Sequence, residues 1–255
     1  DVGIGLTLLP VLYERAGFTQ PALREDQRRF AADAERVLRL RDAVRAWALP
    51  QVGAGVAVHS LRAARPEGIH ALARALHGDP GPIHVHVAEQ TAEVADCRAA
   101  TGRRPVQWLA DEGLLDARWQ LVHATHAEPG EIAAVAASGA GVVLCPGTEA
   151  NLGDGLPDLP GWLAGPTPLA LGTDSHVTRT ASEELRWLEY GQRLHLRRRN
   201  VAADAALPPA AQPSTAARLF ERVLAGGAAA AGLGPAGLRV GARADLLVLD
   251  EADPG

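Results

Sequence analysis

The sequence contains no methionine, and its first residue is Asp1. A chain read from its own start begins with Met and seldom opens inside a core strand, so the sequence reads as a fragment lacking its true N-terminus. Cysteine is almost as scarce. Cys97 and Cys145 are too few for a disulfide framework and fit a reduced cytoplasmic protein. No apolar run reaches the ~18 residues that a membrane-spanning helix needs, and there is no signal peptide, so no membrane partner is expected. Basic blocks are missing except for Arg197-Arg198-Arg199, and with a net charge of −5 nothing asks for nucleic acid. That triplet ends a helical pattern, where cations suit the helix C-terminus. No G-x-G-x-x-G follows any strand-like run, which leaves a dinucleotide fold unsupported.

What is present is an alternation of short apolar runs and longer helical patterns. The runs cover 3–9, 52–58, 82–87, 120–124, 141–145 and 168–172, and they are apolar almost without interruption, as strands buried on both faces are. Between them, 26–47, 68–77, 91–100, 105–112 and 131–137 are rich in Ala, Leu, Arg and Glu and predict helices. Repeated strand-then-helix units require a parallel sheet with right-handed crossovers. Six units fit either a doubly wound sheet or a (β/α)8 TIM-type barrel with strands 3–8 present and the first two missing. Helices are also expected at 183–199 and 215–225, with Gly226-Gly227 breaking the second. The end, 237–250, reads as a turn and a strand of a second, small β-module. The expected organisation is a partial barrel over 1–234 and a truncated β-sandwich remnant over 235–255.

The polar residues favour the barrel. His59 with Arg62, His86 with Glu89, His123, and Asp174 with Ser175 and His176 all fall at the C-terminal ends of apolar runs. In a barrel those ends meet at one mouth, whereas in an open sheet they would be strung along an edge. His86 and Glu89 stand close enough to serve as a metal ligand and a proton-moving carboxylate; alone, they could equally be a hydrogen-bonded strand His and a helix-start Glu. His123 must find a partner if buried, and could ligate a metal or orient a water. Asp174 could ligate and take a proton, or simply cap a turn with Ser175. Arg62 is a bidentate clamp for a carboxylate or a solvated loop cation. His84, deeper on the same face as His86, suits core packing; His126 suits a structural or surface role; His70 and His77 are expected to face solvent. Cys145 has no activating neighbour in sequence and reads as a packed thiol. Imidazole and carboxylate donors without thiolates suit Zn2+, with Fe2+ or Mn2+ as alternatives.

The stretches HVAE (86–89), His123 and GTD (172–174) resemble strand ends of amidohydrolase-superfamily deaminases. Within that superfamily the chain is similar to the formimidoylglutamate deiminases. The stretches that carry this are GIGLTLLPVLY (3–13), HSLR (59–62), HVHVAEQ (84–90), LVHATH (121–126), TEANLGDG (148–155), DSHV (174–177) and the EELRWLEYGQRL core of 183–200. The resemblance implies one divalent metal held by His86, Asp174 and a His-x-His pair on the first barrel strand, which, like the second strand, is absent here. It implies that Glu89 shuttles protons to the leaving nitrogen, that His123 bonds the attacking hydroxide or the tetrahedral centre, and that Asp174 deprotonates the water. His59 and Arg62 would hold the carboxylates of N-formimino-L-glutamate, which would lose ammonia to give N-formyl-L-glutamate in histidine degradation. Homodimers are common in such families. The alternatives are a deaminase of guanine, cytosine or adenosine type, or an inactive barrel remnant; a cation at the mouth, such as Arg62, separates the first of these from a dianionic substrate.

Overall fold

A computed structural model describes residues 4–204, 206–238, 240–242 and 252 of the chain. Eight short strands lie in it: β1 (Leu6–Leu8), β2 (Val11–Leu12), β3 (Val52–Ala54), β4 (Val56–Val58), β5 (Ile83–Val87), β6 (Trp119–His123), β7 (Gly141–Leu144) and β8 (Leu169–Leu171). Every pairing is parallel, in the order β2-β4-β5-β6-β7-β8, with β1 on β3. β1 and β2 are two halves of one strand parted at Pro10, which has no N–H to donate. β3 and β4 are likewise parted at Gly55, where a Cβ would lie 2.3 Å from the Pro82 carbonyl oxygen. Pairing continues across both breaks: Gly55 N donates to Leu8 O at 3.0 Å and Ala57 N to Pro10 O at 2.8 Å. The six expected strands are therefore all present. Their spatial order follows the chain order without reversal, which is the order of a barrel wall and not of a doubly wound sheet.

Nine α-helices accompany the strands: α1 (Ala34–Arg45), α2 (Pro66–Ala75), α3 (Thr91–Thr101), α4 (Pro105–Asp111), α5 (Pro129–Ser138), α6 (Pro146–Leu152), α7 (Leu159–Ala164), α8 (Ala181–Leu196) and α9 (Thr215–Ala230) among the described residues. None is long and apolar enough to cross a membrane. Register divides the wall into two faces. Val85, Leu121, Val142 and Leu169 align on one and join Ile69, Leu72, Val106, Leu109 and Trp162 in the main core under the helices. His86, Val122, Val143 and Ala170 align on the other, which faces the barrel interior.

Two helix expectations are corrected. The single helix over 26–47 is instead a 3-10 turn, Glu25–Phe30, followed by α1. Ala32 pairs with Tyr13 in an antiparallel bridge, and Asp33 caps α1 by accepting from Arg36 N at 2.8 Å, so the chain must leave and re-enter helix there. Conversely, Gly226-Gly227 does not break α9. A Cβ at Gly226 would fall 2.1 Å from Leu169 O, so glycine is what lets the helix lie directly on the β8 backbone. The end of α9 then reaches the barrel interior, where Ala230 packs with Val122, Val143 and Ala170. There His84 Nε2 donates to Ala230 O at 2.7 Å and Thr7 Oγ1 to Ala231 O at 2.6 Å. His84 thus has the core role expected of it. His70 departs from expectation: it is partly buried, 3.1 Å from Glu112 Oε2 and tilted on Trp108. Most of the expected C-terminal strand, residues 239, 243–251 and 253–255, lies outside the described residues.

At the N-terminal end of the wall, Asp79 collects cations. Arg45 reaches it with both terminal nitrogens, at 2.6 and 2.8 Å, and Arg41 at 3.2 Å, while Gly81 N donates at 2.8 Å. The Arg45 hydrogen bonds lead in lowering its carboxyl to about 2, against the opposing effect of burial. Because the folded state holds this proton less tightly than the unfolded chain, the stabilisation is complete above pH ~4 and is lost as pH falls toward about 2. Asp79→Asn is expected to cost about 1–2 kcal/mol at neutral pH in thermal or urea unfolding. The gap to the parent should close as pH is lowered below 4, and a pH-independent gap would contradict the pairing. Gly226→Ala is expected to cost about 1–3 kcal/mol, because the obstruction is backbone and cannot rotate away.

Candidate active site

Three of the chemical groups at the mouth, Glu89, His123 and Asp174, are delivered by strand ends with unusual backbone. After β5, Ala88 has φ 52°, and this left-handed residue turns the chain so that Glu89 lies back over the mouth. After β6, His123 and Ala124 have φ 70° and 48°. Strand alternation would put His123 on the helix-covered face with Leu121; the left-handed turn brings its ring to the mouth, stacked on His86 with centroids 5.6 Å apart. After β8, Asp174 has φ 44°. Such conformations cost non-glycine residues on the order of 1–3 kcal/mol each and persist only where surroundings enforce them.

These ends converge on one pocket of about 110 Å3, lined by His59, Ser60, Arg62, His86, Glu89, Gln90, Glu93, His123 and Asp174. All six residues singled out from the sequence are among them. His123 Nε2 lies 3.6 Å from Glu89 Oε1 and 3.8 Å from Asp174 Oδ2, and its Nδ1 is 3.3 Å from Glu149 Oε1. A larger cavity, about 470 Å3, is walled by Arg104, His126, Glu128 and His195 and contains none of the six. Size is the weaker criterion here, because the titratable groups converge on the smaller pocket.

The electrostatics follow from burial and neighbours. Desolvation pulls His86 below the usual imidazole range, partly offset by the hydrogen bond to the His59 carbonyl. That bond, His86 Nδ1 to His59 O at 2.8 Å, commits Nδ1–H and leaves the Nε2 lone pair free. Burial, then the neighbouring His86 and Arg62, depress His59 to about 4, so its imidazole is neutral near pH ~7. Burial pushes Glu89 up, with nearby Asp154 and Asp174 adding to it against the pull of His123. For His123, burial acts downward but is outweighed by the Glu149 hydrogen bond and the Glu89 charge, and the net shift is upward. Arg62 lines the pocket with Glu93, whose carboxyl feels its charge, and among the described residues its guanidinium forms no ion pair or side-chain hydrogen bond.

Of the buried carboxylates that have no assignment from the sequence, three accept backbone N–H groups near these strand ends. Glu93, 6% exposed, accepts from Ala88 N at 3.0 Å and Glu89 N at 2.9 Å and so pins the left-handed turn. Glu184, 1% exposed, accepts from Gly147 N at 2.8 Å and from the Thr178 hydroxyl. Glu149, also 1% exposed, accepts from Cys145 N at 2.9 Å besides facing His123. Its neighbour Thr148 accepts from Ser175 N at 3.2 Å, beside Asp174. The only sequence signal for Glu149 and Thr148 is their place in the TEANLGDG stretch. Cys145 is buried and its thiol pushed far up, as a packed thiol would be.

The amidohydrolase family model matches residues 2–254. The chain belongs to the amidohydrolase family. It is 51% identical to formimidoylglutamate deiminase of Pseudomonas aeruginosa over 99% of this chain and 54% of that protein. It is 31% identical to 5-methylthioadenosine/S-adenosylhomocysteine deaminase of Halobacterium salinarum over 94% of this chain and 53% of that one. Among solved structures, an amidohydrolase from Brucella melitensis superposes with a TM-score of 0.83 at 44% identity, covering 90% of this chain and 50% of that one. The chain thus spans about half the length of the curated relatives it matches.

The donors that could hold a divalent ion are the free Nε2 of His86 and the Asp174 carboxylate, a nitrogen–oxygen pair chemically suited to zinc-like metals. His84 is not a third, since its Nε2 is engaged by Ala230 O. Among the described residues no group of three or more potential ligands is gathered to hold a metal. The chain by itself is therefore expected to retain well under one equivalent of zinc after gel filtration, measured by elemental analysis; tight equimolar zinc would contradict this partial shell.

Proposed function

We propose that the intact protein hydrolyses N-formimino-L-glutamate to N-formyl-L-glutamate and ammonia, as a step of histidine degradation, with one divalent metal, zinc in the first instance. The observation that carries the substrate is Arg62, a cation in the pocket wall whose guanidinium forms no ion pair or side-chain hydrogen bond among the described residues. A guanidinium so placed is a fork for a carboxylate, and a glutamyl substrate presents two. The 51% identity to formimidoylglutamate deiminase supports the same reading.

His86 and Asp174 would hold the metal, together with ligands from outside the described residues. When bound, the ion supplies Lewis acidity that makes a water molecule nucleophilic near neutral pH. The chain's own groups do the rest. Asp174 takes a proton from the water as its oxygen bonds to the formimino carbon and the C=N electron pair moves onto nitrogen. His123 Nε2, between Glu89 and Asp174, steadies the oxygen of the tetrahedral carbon. Glu89, whose buried carboxyl holds a proton more readily than an exposed one, passes protons to the terminal nitrogen. The C–N bond then breaks, nitrogen leaves as ammonia and the carbonyl forms. His59 and Arg62 hold the carboxylates throughout.

A second reading, deamination of a purine ring, has the 31% identity to 5-methylthioadenosine/S-adenosylhomocysteine deaminase in its favour. A neutral nucleobase or nucleoside would leave Arg62 without a partner; within this reading only the homocysteine carboxylate of an S-adenosylhomocysteine-type substrate would supply one. The test is ammonia release by the full-length, zinc-loaded protein from N-formimino-L-glutamate, with guanine, cytosine and adenosine alongside. Release from the formimino compound alone is expected, with Glu89→Gln lowering kcat about 100- to 10,000-fold. Arg62→Gln is expected to raise KM about tenfold or more at nearly unchanged kcat. Release from a nucleobase or nucleoside instead would replace the substrate assignment, and silence with all four, despite bound metal, would point to another substrate or an inactive remnant.

A further inference from the structure

Glu149 is a costly residue for the modest task of capping the start of a helix. It lies in the first turn of α6, where it accepts the Cys145 N–H at 2.9 Å. An exposed Asp, Ser or Thr would satisfy that N–H without desolvating a charge. Glu149 is instead 1% exposed, and its Oε2 is buried without any hydrogen-bond partner. Its Oε1 lies 3.3 Å from His123 Nδ1. On the other side of the ring, Nε2 faces Glu89 and Asp174 at 3.6 and 3.8 Å. His123 and Ala124 both hold left-handed backbone, so the ring depends on an external partner to keep its direction. The residue before Glu149 serves the neighbouring strand end: Thr148 Oγ1 lies 2.9 Å from Ser175 Oγ and 3.3 Å from Thr173 O, bracketing Asp174.

We infer that Glu149 is a positioning residue that accepts the Nδ1–H of His123 and so aims Nε2 at the reacting centre, with Thr148 holding the Asp174 turn from the same first turn of α6. This rests on the role given to His123 in the proposed reaction, but the geometry can be tested without substrate. In the full-length, zinc-loaded protein, Glu149→Ala should lower kcat for ammonia release about 10- to 100-fold, with KM within about twofold and zinc content unchanged. Glu149→Gln, which keeps an oxygen facing both donors, should recover most of that loss. Nitrogen-15 NMR of histidine-labelled protein, with His123 assigned by its absence in His123→Gln, should show a protonated Nδ1 in the parent.

A kcat within twofold of the parent in Glu149→Ala, or a loss matched by lost zinc, would overturn the inference. So would an unprotonated Nδ1 on His123 in the parent. Should Glu149→Ala not fold, the isosteric Glu149→Gln decides: a shifted Nδ1–H resonance upholds the contact, and an unmoved one removes it. If the parent releases no ammonia from the formimino compound while Nδ1 stays protonated and responds to Glu149→Gln, the reaction assignment fails and the positioning contact stands.

Discussion

The arrangement at the mouth depends on a constraint of the sheet. Six parallel strands stand in chain order, so every strand presents its C-terminal end at the same rim. A strand end has no continuing ladder to hold it, and here three of them carry left-handed non-glycine residues: Ala88, His123 with Ala124, and Asp174. What keeps those turns in place is a set of buried carboxylates and hydroxyls acting on backbone N–H groups. Glu93 secures Ala88 and Glu89, while Thr148 secures Ser175 beside Asp174. Strain and its restraint are concentrated where the titratable groups meet, which is the usual place for both.

The two ends of the wall divide the work. At the N-terminal end the ion pairs are strong, multiple and remote from the pocket, with Asp79 drawing together α1, the end of α2 and the start of β5. Arg118 adds to it by donating to the Leu76 and Asp79 carbonyls at 2.5 and 3.2 Å. At the C-terminal end the charges are left partly unsatisfied: the Arg62 guanidinium forms no ion pair or side-chain hydrogen bond among the described residues, and Glu89 is raised by burial. An end that is fully paired stabilises; an end with groups awaiting partners can bind.

Histidine shows how one residue type takes different tasks on one wall. His84 and His86 are two apart on β5 and face the same way, yet His84 donates to the end of α9 while His86 donates from Nδ1 to the His59 carbonyl and keeps Nε2 free. Only the height along the strand separates them. α9 reaches the lower position and not the upper one, because Gly226 lets it lie against the Leu169 backbone.

From the residues alone, the strand–helix alternation, the parallel sheet and the six mouth residues were legible, because buried parallel strands are continuously apolar and a polar group at their ends stands out against that background. The family resemblance was legible for the same reason, through motifs clustered at those ends. The break before α1, the passage of α9 through two glycines and the partners of His123 were not. Each turns on a contact between segments far apart in the chain: Ala32 with Tyr13, Gly226 with Leu169, Glu149 with His123. Local composition argued for a continuous helix in the first case and a helix break in the second, and tertiary contact overrode it in both. Beyond its place in the TEANLGDG stretch, nothing in the sequence marked Glu149, because a glutamate near a helix start is ordinary; its complete burial, opposite an imidazole turned by left-handed backbone, is what distinguishes it.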